Sequence, residues 1–170
     1  MNSNIQKIKN INLLLLGGLV LFAVLNFIGA RFLNGHFLDT LNLILGRDFL
    51  NFYHYGIAAW EDNPAKYYDD NYYDTALTAF FGGHDYVYQQ WSYPPHYMLI
   101  AAPFALFNYY LAYAILILMS LFLYWKYIIS TFKQEAFQAA FWITPLLFLF
   151  VMCGQLSAII AVLFLSLIHI

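Results

Sequence analysis

The sequence predicts an all-α, polytopic membrane protein. Hydrophobic residues make up 63% of the 170 positions and charged residues only 9%, whereas a soluble domain is about 25% charged. The apolar residues form long blocks instead of alternating with polar ones, which is the pattern of helices that span a bilayer. One long polar segment, residues 34–96, separates the first block from the others. We therefore expect the lipid bilayer to be the main partner of the chain.

The first apolar block covers residues 11–32 and predicts the first transmembrane helix. Lys7 and Lys9 precede it in a short polar N-terminus. The block is longer than the core of a cleaved signal peptide, and no Ala-x-Ala pattern follows it. The sequence therefore predicts an uncleaved helix whose N-terminus lies in the cytoplasm.

The distribution of charge predicts the side of the membrane on which the polar segment lies. Residues 34–96 hold eight of the nine acidic residues but, of the seven basic residues, only Arg47 and Lys66. Basic residues concentrate in cytoplasmic loops, so segment 34–96 is predicted to be an extracytoplasmic loop of short helices. We expect a multi-pass protein of the plasma (inner) membrane. The net charge of −2 provides no basic patch for nucleic acid.

Residues 97–170 are predicted to form further membrane helices. The stretch 97–127 is almost uncharged and too long for one untilted crossing at about 1.5 Å per residue. Two arrangements remain open at this stage. The stretch forms one long tilted helix, or it breaks at Asn108 into a short helix ending near Phe107 and a second span.

A polar Cys153-Gly154-Gln155 run interrupts the last apolar region. We expect a turn at the membrane surface or a helix break that lines a cavity, since exposed irregular backbone is not tolerated in lipid. The single cysteine has no partner for a disulfide or a zinc site. Because the chain stops inside an apolar run, we expect it to be the N-terminal part of a larger membrane domain.

The densest group of candidate catalytic residues begins at Gly46-Arg47-Asp48-Phe49. A carboxylate at the membrane surface, beside aromatic rings and an arginine, suits proton abstraction from a hydroxyl group. The alternative is an ordinary interfacial Asp–Arg pair, or a cap for a helix that starts near Phe49.

A second group, residues 90–96, combines Trp91 and Tyr93 with Pro94 and Pro95. Two prolines suit a rigid start of a helix. The aromatic residues suit either an interfacial belt or a sugar-binding surface. The histidines of the loop lack the spacing of a metal site, and no nucleotide-binding or serine-hydrolase motif occurs, so we expect no metal and no cofactor.

Taken in order, these motifs resemble glycosyltransferase family 87. The resemblance rests on Arg-Asp-Phe-x-x-Phe-Tyr, Asn-Pro-Ala-Lys-Tyr-Tyr-Asp, Tyr-Pro-Pro-x-x-x-Leu-x-x-Ala-Pro-Phe-Ala-Leu and Gly-Gln-Leu-Ser, which follow a first membrane helix. It implies a GT-C fold and a mannosyltransferase-like enzyme. Such an enzyme takes a hexose from a polyprenyl-phosphate sugar, its co-substrate, to a glycan or glycolipid acceptor outside the cytoplasm.

The resemblance also implies roles for individual residues. Asp48 would be the general base, and the reaction would invert the anomeric configuration. Further substrate-binding candidates are Arg47, Tyr53, Lys66, Tyr93, Pro94, Pro95 and Gln155. Of these, Tyr93, Pro94, Pro95 and Gln155 match the later motifs and would shape the site.

Two alternatives to this hypothesis remain. One is a transferase of another GT-C family, and the other is a non-enzymatic membrane component whose acidic aromatic loop binds a partner. Because a GT-C site draws on helices beyond residue 170, we expect the 170-residue piece to be inactive by itself.

Overall fold

The computed structural model describes residues 2–33, 35–87, 89–91, 93–132 and 151–154. The chain is mostly helical, as predicted. Its α-helices are α1 (Asn2–Ile28), α2 (Arg47–Ala58), α3 (Asp70–Phe80), α4 (Tyr97–Ala101) and α5 (Tyr109–Phe132). Two 3-10 helices are η1 (Pro64–Tyr68) and η2 (Ala102–Leu106), and two short strands are β1 (Arg31–Leu33) and β2 (His36–Leu38).

The first helix ends at Ile28, so the prediction of a helix through residue 32 is wrong at its C-terminal end. The next residues turn into an antiparallel hairpin in which Arg31 lies opposite Leu38. A side chain at Gly29 would collide with Thr40, so glycine lets the chain fold back beneath the helix. Apolar residues such as Phe32 suit a helix or a strand equally, and the sequence pattern could not separate the two.

Helix α2 is the centre of the described fold. The side chains of Phe49, Leu50, Phe52 and Tyr55 are fully buried, and the helix packs against α4, η2 and α5. Burial of side chains of this size contributes about 1.5–3 kcal/mol each. Gly56 lies so close to α4 that an added Cβ would stand 2.5 Å from the carbonyl oxygen of Ala101.

The predicted extracytoplasmic loop does contain short helices, and local side chains set their ends. Asp69 caps α3 by accepting hydrogen bonds from the N–H groups of Asn71 and Tyr72 at 2.9 and 3.0 Å. The carbonyls of Pro94 and Pro95 accept from the first residues of α4 at 3.0 Å. The predicted helix start after the two prolines is therefore confirmed.

The break near residue 108 is also present, which decides between the two arrangements that the sequence left open. Helices α4 and η2 end at Leu106, and Phe107 is extended. Asn108 then accepts a hydrogen bond from the N–H of Leu111 at 3.0 Å and caps α5. Residues 97–132 thus form a short helical segment followed by a separate long helix.

Within the described residues, one helix is long and apolar enough to cross a membrane, at Tyr109–Tyr127. Leu13–Leu25 and Tyr97–Leu106 are shorter apolar helices. The prediction of several crossings stays a prediction. Much of the expected membrane region falls at 133–150 and 155–170, outside the residues that the structure describes.

Replacing Gly56 by Ala should destabilise the packing of α2 on α4. The new methyl group would meet backbone, which cannot rotate away, and overpacking of this kind costs about 1–3 kcal/mol. We expect a lower melting temperature of the detergent-solubilised protein. Gly18→Ala is the control, since an added Cβ there meets nothing within 4 Å; equal melting temperatures of both variants would contradict the packing described.

Candidate functional site

The first turn of α2 carries Arg47 and Asp48, and α5 supports the backbone just before it. Gly46, the residue before the helix, has a left-handed conformation with φ of 75°. The hydroxyl of Tyr109 donates hydrogen bonds to the carbonyls of Leu45 and Gly46 at 2.8 and 2.9 Å. The start of α2 is thereby held against the first turn of α5.

Gly154 brings the last described segment to the same place. It has φ of 72° and directly follows helical residues 151–153. The choice between the predicted surface turn and helix break depends on residues after 154, which lie outside the described residues. A Cβ on Gly154 would stand 2.8 Å from Phe49 and from the Tyr113 ring, and 3.1 Å from the Cα of Gly46. The N–H of Gly46 donates to the carbonyl of Met152 at 3.2 Å. Two facing glycines therefore permit a contact that larger residues would prevent.

The Asp48 carboxylate forms an ion pair with Arg47, at 3.6 Å between Oδ1 and Nε. The side chain of Asp48 is 34% exposed and that of Arg47 is 49% exposed. Both groups are therefore reachable by a ligand while being anchored to a packed helix. Cys153 lies within electrostatic range of both side chains. The predicted Cys153-Gly154-Gln155 region therefore lies next to the group that begins at Gly46.

Two tyrosines complete this surface. Burial raises the pKa of Tyr93, and the negative charge of Asp48 raises it further. Burial raises the pKa of Tyr86 to about 12, and the Tyr86 hydroxyl accepts a hydrogen bond from the N–H of Ile44 at 3.1 Å. Both phenols stay protonated at neutral pH and can donate hydrogen bonds near the carboxylate. We call Arg47, Asp48, Tyr86, Tyr93 and Gly154 the Asp48 site.

Residues 89–91 and Tyr93, which lie outside the helices and strands, are attached to one stripe of α2, and we call these described residues segment 89–93. The side-chain amide of Gln89 donates to the carbonyl of Arg47 at 3.3 Å. One turn later, Asn51 donates to the carbonyl of Gln90 at 3.3 Å. Residues four apart lie on the same face of a helix. The segment therefore runs along the face of α2 that carries Arg47 and Asn51.

Tyr55, the next residue of this stripe, holds the end of the segment. Its ring stacks on Trp91 with 3.6 Å between centroids and 7° between planes. Its hydroxyl donates to the Tyr93 carbonyl and accepts from the Tyr93 N–H, both at 2.6 Å. Tyr68 donates to the same carbonyl at 3.2 Å. Tyr55 therefore fixes the backbone of Tyr93, whose side chain lies within electrostatic range of Asp48.

Several predicted substrate-binding residues lie elsewhere. Tyr53 is buried, and its hydroxyl donates to the Phe107 carbonyl at 2.8 Å, so it serves the α2–η2 packing. Lys66 pairs with Glu61 at 2.5 Å and lies 4.7 Å from the centre of the Tyr72 ring. These two residues are engaged in structural contacts and are not assembled with Asp48 in the described structure.

The remaining predicted substrate-binding residues are Pro94, Pro95 and Gln155. Pro94 and Pro95 are exposed at the start of α4, directly after Tyr93. Gln155 lies outside the described residues, although its neighbour Gly154 belongs to the Asp48 site. Among the described residues, no group of three His, Cys, Asp or Glu side chains could hold a metal ion.

Sequence reasoning missed Tyr86 and Tyr55 as members or supports of the site. Tyr86 comes from an irregular segment with no periodicity to place it. Tyr55 had a usable signal, because it follows Arg47 and Asn51 at the four-residue spacing of one helix face. The tyrosine-rich composition concealed this signal.

No protein-family model, no curated protein and no solved structure matches the chain. The resemblance to glycosyltransferase family 87 therefore stays a prediction, and function has to be argued from the geometry of the Asp48 site.

Tyr55→Phe should loosen segment 89–93. It removes a hydroxyl that bonds two backbone groups of Tyr93, and an unpaired buried donor costs about 1–3 kcal/mol. The control is Tyr68→Phe, which removes a longer bond from a more exposed side chain and leaves Tyr55 on the same carbonyl. Hydrogen exchange of the Tyr93 N–H should accelerate strongly in the first variant and little in the second. Equal rates in both would contradict the role given to Tyr55.

His54 should make the fold sensitive to acid. The side chain is buried among the rings of Tyr53, Tyr73 and Phe80, and neither ring nitrogen has a hydrogen-bond partner among the described residues. Burial lowers the pKa of His54 from 6.5 to about 4, and the charge of Glu61 opposes this only in part. Above pH 6.5 the residue is neutral in both states; as pH falls towards 4, the unfolded chain binds a proton that the folded chain does not.

We therefore expect the free energy of unfolding to fall by roughly 3 kcal/mol between pH 6.5 and 4 through His54. The measurement is the melting temperature against pH for the wild type and for His54→Phe, which fills the same aromatic surroundings without titrating. The difference between the two curves should grow as pH falls. A difference that does not change with pH would show that His54 is not held neutral.

Proposed function

We propose that the protein is a membrane glycosyltransferase that moves a hexose, mannose in the first instance, from a polyprenyl-phosphate sugar to an acceptor hydroxyl on the extracytoplasmic side. The bilayer, the lipid-linked sugar and a glycan or glycolipid acceptor are its partners. The observation that carries the proposal is the position of Asp48. It is a partly exposed carboxylate at the start of a packed helix, where residues 46–49 contact Gly154 and where Tyr86 and Tyr93 lie within electrostatic range.

In this proposal Asp48 acts as the general base. Its carboxylate takes the proton of the acceptor hydroxyl while the acceptor oxygen attacks the anomeric carbon. The bond from that carbon to the phosphate oxygen breaks, the electron pair leaves with the lipid phosphate, and the configuration inverts. Charge balances because the proton stays on Asp48 and the phosphate departs as an anion.

The residues around Asp48 could stabilise the negative charge that develops on the departing phosphate. Arg47 presents an exposed guanidinium whose Nε lies 3.6 Å from the carboxylate, where it can also interact with a phosphate oxygen. The protonated hydroxyls of Tyr86 and Tyr93 can donate hydrogen bonds to sugar or phosphate. Donors positioned before the reaction lower the cost of charge separation in the transition state.

The membrane placement in this proposal follows from charge and helix length. α5 contains the stretch that is long and apolar enough to cross, and α1 carries Lys7 and Lys9 near its N-terminal end, before its apolar part. The acidic segment between them carries the site. The positive-inside rule then places the N-terminus in the cytoplasm and Asp48 outside. The set of acceptors to which the enzyme transfers sugar would distinguish glycosyltransferase family 87 from other GT-C transferases.

Replacing Asp48 by Asn should lower sugar transfer about 10²- to 10⁴-fold, the usual contribution of general base catalysis. The assay is transfer from polyprenyl-phosphate mannose by the full-length protein in proteoliposomes. Asp70→Asn is the matched control, because Asp70 is also an exposed aspartate in the first turn of a helix. Full activity of Asp48→Asn would exclude Asp48 as the base, and absence of transfer by the wild type with any acceptor would favour the non-enzymatic alternative.

A further inference from the structure

The helical segment formed by α4 and η2 has one face that the described fold leaves open. Its inner face is buried against α2 through Met98 and Ala101. Its outer face carries Leu99, Ile100 and Leu106, which are 80%, 59% and 68% exposed. An apolar cluster of this kind is unfavourable in water and marks a surface that contacts something apolar.

Trp60, which follows α2, extends the same surface. Its ring is 64% exposed, yet its indole N–H donates to the Ala102 carbonyl of η2 at 2.9 Å. The polar atom of the side chain is therefore satisfied inside the protein, and an apolar ring remains outside. We call Trp60, Leu99, Ile100 and Leu106 the α4 face.

The charge pattern identifies lipid as the occupant of the α4 face. No charged residue occurs in 87–125, which includes Leu99, Ile100, Leu106 and most of α5. The exposed Asp69, Asp70 and Asp74 lie at the start and in the first turns of α3, and of the α4 face only Trp60 has acidic neighbours in the chain, Glu61 and Asp62. Protein partners usually meet a polar rim around an apolar centre, whereas this surface continues without charge into a candidate membrane span.

The continuity with α5 is direct along the chain. After the extended Phe107 and the cap at Asn108, α5 begins at Tyr109. Its outward residues Leu111 and Leu118 are 47% and 67% exposed. A helix that enters the bilayer at this point keeps the preceding ten residues near the membrane surface.

Length decides how α4 and η2 can meet the bilayer. The segment Tyr97–Leu106 extends about 17 Å, from five α-helical residues at about 1.5 Å and five 3-10 residues at about 2.0 Å each. This is little more than half of the hydrocarbon core, which is about 30 Å thick. It is too short to cross and has an apolar outer face. An interfacial orientation, with the helix axis along the membrane plane, satisfies both facts.

We propose that the α4 face is a membrane-docking surface that lies in the outer leaflet beside α5. The segment anchors the loop to the bilayer without crossing it. Since α4 starts directly after Pro94 and Pro95, this places Tyr93 close to the level of the lipid head groups. The inference concerns lipid contact alone and does not depend on glycosyl transfer.

Spin labelling of the full-length protein in lipid bilayers tests this surface. In a background with Cys153→Ala, single cysteines are introduced as Leu99→Cys, Ile100→Cys and Leu106→Cys, with Asp74→Cys on α3 as the matched exposed control. Each labelled position is then exposed to oxygen, which concentrates in lipid, and to a water-soluble nickel chelate. We expect a several-fold higher ratio of oxygen to nickel accessibility on the α4 face than at position 74.

Two results would overturn the proposal. A ratio on the α4 face equal to that at position 74 would show that the face lies in water. Low accessibility to both reagents would show that protein covers it, either another part of the same chain or a second copy. Three labelled positions keep the test valid if one substitution impairs folding, and a failed glycosyltransferase assay would leave the result unaffected.

Discussion

The hydroxyl of Tyr55 bonds both backbone groups of Tyr93, and the rest of the candidate site depends on this interaction. The segment before α4 has no helix or strand to satisfy its backbone, and buried N–H and C=O groups without partners are costly. A fully buried tyrosine on a rigid helix supplies a donor and an acceptor at one point. The stacked Trp91 excludes water from the same place. Together with the Tyr68 hydroxyl on the same carbonyl, this contact holds the backbone of Tyr93 against α2.

Helix α2 links the two functional proposals because it packs on two sides. One stripe, through Arg47, Asn51 and Tyr55, binds segment 89–93 and forms the Asp48 site. Gly56 lets α4 approach from another direction, and α4 carries the proposed lipid contact. A carboxylate intended for a lipid-linked substrate needs to lie near the head groups, and a common helix provides a rigid connection between site and membrane surface.

Local signals predicted the break at Asn108 and the helix start near the two prolines, because caps and prolines act through atoms within a few residues along the chain. The cap that Asp69 provides for α3 acts in the same way but was not predicted. The hairpin after α1 was not predicted, since its residues are as apolar as the helix before it. Tyr53 and Lys66 belong to suggestive motifs but are engaged in packing and in an ion pair with Glu61, which spacing alone could not reveal.

The sequence by itself determined the mostly helical class and the separation of apolar blocks from one acidic aromatic segment, and both follow from composition, charge and short-range chemistry. The choice of Asp48 as the candidate base came from the resemblance to glycosyltransferase family 87. Only the tertiary structure decided that Gly46 meets Gly154, that Tyr86 and Tyr93 lie near Asp48, and that the outer face of α4 is open. Each of these joins residues distant in the chain, and the energy that selects such contacts comes from packing and from paired buried polar groups, which no local pattern encodes.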